Sequence, residues 1–155
     1  MRKTVCLFVF ALLCAAAADH PDLGGTWVLD ASHSDTHDPK LKAETLNIDQ
    51  QPENIKLSES ITLDGGKETT SLIACNTAGQ SCKIKDHGAA DVSFWYNGAM
   101  LVMSEVRGQD SIVKRRLKPS EDGHTLTMEI IHLAPVEKTE TLTFNRSQDA
   151  KAGGF

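Results

Sequence analysis

The feature that most constrains this chain is its hydrophobic period, which is two residues over most of its length. Ile55, Leu57, Ile61 and Leu63 share one phase while Lys56, Ser58, Ser60 and Thr62 share the other. Leu126, Met128 and Ile130 alternate in the same way with Thr125, Thr127 and Glu129. Successive side chains of a strand point to opposite faces, so this pattern makes half-buried strands and not amphipathic helices. Turn chemistry interrupts it at Asp64-Gly65-Gly66, Asn97-Gly98, Arg107-Gly108 and Glu121-Asp122-Gly123, where positive φ costs little.

The spacing predicts strands over 25–30, 43–50, 54–63, 67–75, 82–86, 91–96, 99–106, 110–118, 124–133 and 137–146, and no helix of ordinary length. Consecutive hairpins form a meander, and a flat sheet of this many strands would leave two edges open. Closure removes them, so the expected fold is all-β: an up-and-down antiparallel barrel of about 8–10 strands. The stretch 31–42, rich in Asp, Ser and His, reads as a solvent-exposed loop with room for a turn of helix or a lid.

The first eighteen residues differ from the rest. Arg2 and Lys3 precede an apolar run from Val5 to Leu13, and Ala15 to Ala18 supply small residues for cleavage, the pattern of a secretory signal peptide. The run is too short to stay as a membrane anchor, and Cys14 follows Leu13 where a lipidated cysteine needs a small neighbour. The expected organisation is a signal peptide over 1–18 and one barrel domain over 19–155, in a secreted or periplasmic protein. Cleavage would make a chain of formal net charge -5 more acidic still, which tells against nucleic acid as a partner. The one basic run, Lys114, Arg115, Arg116 and Lys118, reads as a solvated strand. Cys6 and Cys14 would leave with the signal, and Cys75 and Cys82 remain as a pair that an exporting compartment would oxidise to a disulfide.

Gly25-Thr26-Trp27 opens the first strand of the barrel domain, and Arg146 ends the last in Thr143-Phe144-Asn145-Arg146. This arrangement resembles the calycin superfamily, meaning lipocalins, fatty-acid-binding proteins and avidin-like barrels, in which a Gly-x-Trp on the first strand packs beneath an Arg from the last. More narrowly, Gly25 to Asp30 followed by Ser34, then Asp64 to Glu68, then Asp122 to Thr127, resemble small exported lipocalin-like proteins of bacteria. The resemblance implies that Trp27 and Arg146 are structural, a guanidinium stacked on an indole. The chain departs from the better-known lipocalins in lacking a middle Thr-Asp-Tyr-type motif and a long C-terminal helix.

Candidate pocket residues follow from phase. Val92, Phe94 and Tyr96 face one way and Trp95 the other, so Phe94 and Tyr96, with Met128, are candidates for a ligand wall. Two polar residues interrupt apolar phases: Glu59 among Ile55, Leu57, Ile61 and Leu63, and His132 after Leu126, Met128 and Ile130. Inside a cavity they would hold a ligand's polar head. A bulge after Leu57, or a place at the barrel mouth, would turn them outward, and the outward reading is preferred.

No Gly-x-Ser-x-Gly elbow, His-Glu-x-x-His pair, P-loop or dinucleotide glycine pattern occurs, and no cofactor or resident metal is expected. His33, Asp35, His37 and Asp38 have zinc-ligand chemistry but read more simply as a solvated loop. A chain trimmed to start Ala18-Asp19-His20 would offer an amine, two amides and an imidazole to Cu(II) or Ni(II). The function expected first is binding or carriage of a small, mainly apolar molecule, without a stable membrane anchor and without enzymatic activity. Behind it stand a solid barrel acting through its loops as an envelope or interaction protein, and a small barrel enzyme using Glu59 or His132.

Overall fold

The computed structural model describes residues 20–85 and 88–148. Ten strands follow one another: β1 (Gly25–Leu29), β2 (Leu41–Gln50), β3 (Asn54–Leu63), β4 (Glu68–Asn76), β5 (Cys82–Ile84), β6 (Ala90–Asn97), β7 (Met100–Arg107), β8 (Ser111–Pro119), β9 (Thr125–Ala134) and β10 (Lys138–Arg146). Each overlaps a segment predicted from the alternation. The loop after β1 contains one 3-10 turn, Ala31–His33, and gives way to β2 two residues earlier than expected. The signal-peptide reading, with Cys6, Cys14 and Ala18-Asp19, lies outside the described residues. No helix among the described residues is long and apolar enough to cross a membrane.

The spatial order β4-β3-β2-β1-β10-β9-β8-β7-β6-β5 is a meander that brings the first and last strands side by side. The result is an all-β, antiparallel, nearly closed barrel. Its two edges, β4 and β5, share no hydrogen-bonded ladder among the described residues. A disulfide between Cys75 and Cys82, with Cα atoms 5.9 Å apart, stitches the seam instead. Beside it Ala78 makes a bridge to Trp95, and the Gly79 amide donates to the Phe94 carbonyl at 2.8 Å. The stitches lie at one end, where Cys75 pairs with Ile55 and Cys82 with Val92.

Register decides which phase of each strand faces in. Trp27, Leu46, Phe94, Leu117, Leu126 and Phe144 are all 0% exposed and fill the barrel toward the end where its two termini meet. Trp27 lies under Arg146, whose guanidinium carbon is 4.3 Å from the ring centroid. The Trp27 Nε1–H donates to the Leu23 carbonyl at 2.9 Å. Arg146 donates to the carbonyls of Gly123, Gly24 and Asp22 at 2.8, 2.7 and 3.1 Å. The glycine two residues before the Trp has a physical reason: Gly25 has φ 120°, a backbone conformation that side chains rarely adopt.

Toward the opposite end the inward phase changes character on six strands. Leu46 is followed by Glu44 on β2, Leu57 by Glu59 on β3, Met103 by Glu105 on β7, Leu117 by Arg115 on β8, Ile130 by His132 on β9, and Leu142 by Glu140 on β10. The change runs forward along β3, β7 and β9 and backward along β2, β8 and β10. Neighbouring strands are antiparallel, so these are one end of the molecule.

Candidate functional site

β3 pairs with β2 and β4 in unbroken register through Leu57, Ser58 and Glu59. No bulge turns Glu59 outward, and it is buried at 8% exposure. This corrects the preferred outward reading of that residue. Arg115 corrects a second reading. It pairs with Met103 on β7 and Ile130 on β9, both on the inward phase, so it points into the barrel while Arg116 stays outside and meets Glu129 at 2.9 Å. The pairing shift between Ile112 and Val113 sets the β8 phase that follows.

Glu59, Glu105, Arg107 and Arg115 surround a cavity of about 140 Å³ together with Thr69 and Ser71. Ile61, Ile73 and Ile84 form the rest of its wall. Thr69, Ser71 and Ile73 belong to β4 and Ile84 to β5, so the cavity lies against the seam, at the part the disulfide leaves unstitched. Wider depressions, of about 500 and 520 Å³, lie elsewhere. One runs past Thr26, Asn47, Lys56 and Leu72, the other past Gly24, His124 and Arg146.

The charges at this end of the barrel come in pairs, two of which line the cavity. Arg115 Nη1 is 3.6 Å from Glu59 Oε1, and Arg107 Nε is bonded to Glu105. Lys138 Nζ is 2.8 Å from Glu140 Oε1, and His132 Nε2 lies 3.6 Å from the same oxygen. The loop after β1 reaches this end, where the Thr36 hydroxyl and the His37 amide donate to Glu140 Oε2 at 3.3 and 3.4 Å. Burial favours the neutral form of Glu140, but the bonds from Lys138 and His37 outweigh it and hold the carboxyl below its ordinary range. Burial, helped by Lys138, pushes His132 down. Burial also works against the charge on Arg115, but Glu59, Glu105 and Glu44 overcome it and raise the guanidinium.

Glu44 is the exception. Its side chain is buried at 3% exposure, and its Oε1 has no hydrogen-bond partner. Burial first, and then the charge of Glu59, push this carboxyl up to about 8, and a hydrogen bond with Glu59 adds to the effect. Glu44 therefore holds its proton more strongly than an ordinary carboxyl. Arg115 Nε is likewise buried without a partner, although Arg115 Nη1 pairs with Glu59.

The other residues singled out from the sequence lie elsewhere. Phe94 and Met128, at 0% and 1% exposure, belong to the packed part of the barrel and do not line this cavity. The Tyr96 hydroxyl accepts from Gln50 Nε2 at 3.0 Å, and its ring stacks on His20 with centroids 3.8 Å apart. In the loop, His33 pairs with Asp30 at 2.9 Å, Asp35 bridges to Thr141, and His37 Nε2 lies 3.1 Å from the Thr139 carbonyl. Among the described residues no three His, Cys, Asp or Glu side chains gather as a metal site. Glu44, Glu105, Arg107 and Glu140 were not singled out. Each had a signal, since each continues an apolar phase with a charge.

No protein-family model matches the sequence, and no curated protein sequence matches it. The fold is similar to several solved barrels. A secretory abundant heat soluble protein from Ramazzottius varieornatus aligns with TM-score 0.63 at 8% identity, over 84% of this chain and 98% of that one. The REP1-NXSQ fatty acid transporter aligns with TM-score 0.59 at 15% identity, over 82% and 97%. The fatty-acid-binding protein isolated from Manduca sexta aligns with TM-score 0.57 at 10% identity, over 79% and 98%. The likeness is one of fold: the chain shares the nearly closed lipocalin-like barrel of these proteins.

Proposed function

We propose that this chain is an exported ligand-binding barrel that seats the polar head of a small, otherwise apolar molecule among Glu59, Glu105, Arg107 and Arg115. The observation that carries the reading is the paired-charge cavity itself. Burying ions costs several kcal/mol each, and well-packed apolar residues in their place are often neutral or stabilising by about 1–4 kcal/mol. A fold selected for stability alone would extend its apolar plug to both ends. Here the plug stops, and the space beyond it is left hollow and lined by charge.

Ile61, Ile73 and Ile84 give the cavity an apolar side against the seam between β4 and β5. A head group and a few carbons fit within about 140 Å³, and a longer tail would leave along that seam. Several barrels of the same fold are fatty-acid or lipid binders by name, which supports ligand binding as the use of this interior. The N-terminal pattern of residues 1–18 and the Cys75–Cys82 bond support export.

Native mass spectrometry of freshly purified protein, followed by titration with short alkyl compounds, tests the reading. Micromolar binding, about 8 kcal/mol, is expected. Ser71→Phe, which fills the cavity from its β4 wall, should abolish it, while His33→Ala in the loop should not. If no alkyl compound binds, or if binding survives Ser71→Phe in a folded protein, the proposal fails.

A further inference from the structure

We propose that Asn145, on the outer wall of the barrel, carries an N-linked oligosaccharide. The inference rests on the export reading above and goes beyond it, naming a covalent modification that does not involve the cavity. Asn145-Arg146-Ser147 is the one Asn-x-Ser/Thr triplet in the 155 residues, and this pattern, with x other than proline, accepts such a glycan in a secreted chain. The triplet straddles the closing pair at the end of β10. Phe144 is buried and Arg146 lies over Trp27, so alternation turns Asn145 to the outer face, where it is exposed.

The surroundings of Asn145 fit a sugar in three ways. Asn145 pairs in register with Val28 on β1 and with Thr125 on β9, and Val28 is 45% exposed. Directly opposite side chains on one face of a sheet stand about 4.5–5.5 Å apart, so the first sugar covers an apolar side chain that the barrel leaves to solvent. The depression of about 520 Å³ past Thr26, His124 and Arg146 includes Ser147 of the same triplet in its wall, which leaves room for a branched chain beside β10. Asn145 Nδ2 donates to Asp30 Oδ2 at 3.1 Å. A side-chain amide has two N–H groups, and the linkage replaces one and leaves the other for Asp30.

The donor is an oligosaccharide held on a lipid diphosphate, which the exporting compartment supplies together with a transferase. Nδ2 forms a bond to the anomeric carbon of the sugar, and the bond from that carbon to the diphosphate oxygen breaks. The displaced Nδ2 proton goes to a base of the transferase, and the lipid diphosphate leaves with the bonding pair. Transfer precedes folding, because in the finished barrel β1 and β9 flank β10 on both sides.

Peptide mapping by mass spectrometry of the protein purified from its natural source tests this, before and after treatment with peptide-N-glycosidase in heavy-oxygen water. The peptide holding Asn145 should carry a glycan in most copies, and the enzyme should remove it and leave the heavy label at that position. In the full chain secreted from cultured eukaryotic cells, Ser147→Ala should lose the glycan although Asn145 is still present, and Ser147→Thr should keep it. An unmodified Asn145 in a secreted chain trimmed of its first eighteen residues would overturn the proposal and leave export standing. A glycan that survives Ser147→Ala would overturn it as well, since the triplet would not be what is read. A natural chain that retains residues 1–18 would remove the export reading and this inference with it.

Discussion

In the half of the barrel that holds Trp27, Phe94 and Phe144, these three are 0% exposed and the inward side chains around them are buried. In the half that holds Glu59, Glu105 and Arg115, they surround an opening of about 140 Å³. The same antiparallel strands supply both halves, so the difference lies in side chains and not in backbone. Full burial of a Leu or Phe contributes about 1.5–3 kcal/mol, whereas a buried ion pair does little better than break even. Stability is therefore concentrated at one end, which frees the other to hold charges that packing alone would reject.

The comparison breaks most directly in the plug. Phe94→Ala should cost about 3–5 kcal/mol in urea denaturation, and a loss below about 1 kcal/mol would mean that this half is not closely packed. The charged half should instead reveal itself by pH. Glu44 binds its proton more tightly folded than unfolded, with its carboxyl raised from 4.5 to about 8. The stabilisation from that proton is fully present below pH 4.5 and is lost as pH rises through about 8. Across that window the native protein should lose on the order of 5 kcal/mol relative to Glu44→Gln. Parallel pH profiles for the two proteins would show that Glu44 does not carry the buried proton.

The seam separates the halves in a third way. Reducing the Cys75–Cys82 bond, which closes a sequence separation of 7, should cost about 2–3 kcal/mol. Intact mass with and without reductant verifies the bond, and an unchanged melt would mean that the Ala78–Trp95 bridge holds the plug end by itself. The smallest effects contrast two arginines. Arg146→Ala gives up the stack on Trp27 and three carbonyl contacts and should cost about 1–3 kcal/mol. Arg116→Ala, on the outer face against Glu129, should stay within about 0.5 kcal/mol. Equal losses for the pair would deny Arg146 its closing role.

Much of this was legible in the residues. Strand positions followed from alternation and from turns such as Asn97-Gly98, because side-chain direction and positive φ are properties of a few neighbouring residues. Arg115 also carried a signal, since Val113 and Leu117 flank it on one phase. It was obscured by Lys114, Arg116 and Lys118, which make the segment look uniformly basic. Glu59 was seen to interrupt an apolar phase, but whether it faced in depended on the β2–β3 and β3–β4 registers. Glu44, Glu105 and Glu140 each stand near a strand end, where a charge taken alone reads as a solvated mouth.

What the sequence by itself determined is the set of ten strands, the order of their hairpins and the apolar phase that fills the plug. Each depends on local backbone preference and on a period the pleat enforces. The tertiary structure alone decided that Glu44, Glu59, Glu105, Arg107, Arg115 and Glu140 share one end, and that Glu44 Oε1 is buried there without a hydrogen-bond partner. These groups are far apart along the chain. Their meeting, and the protonation that follows, depend on strand register and closure of the barrel, which are set by pairings between distant segments.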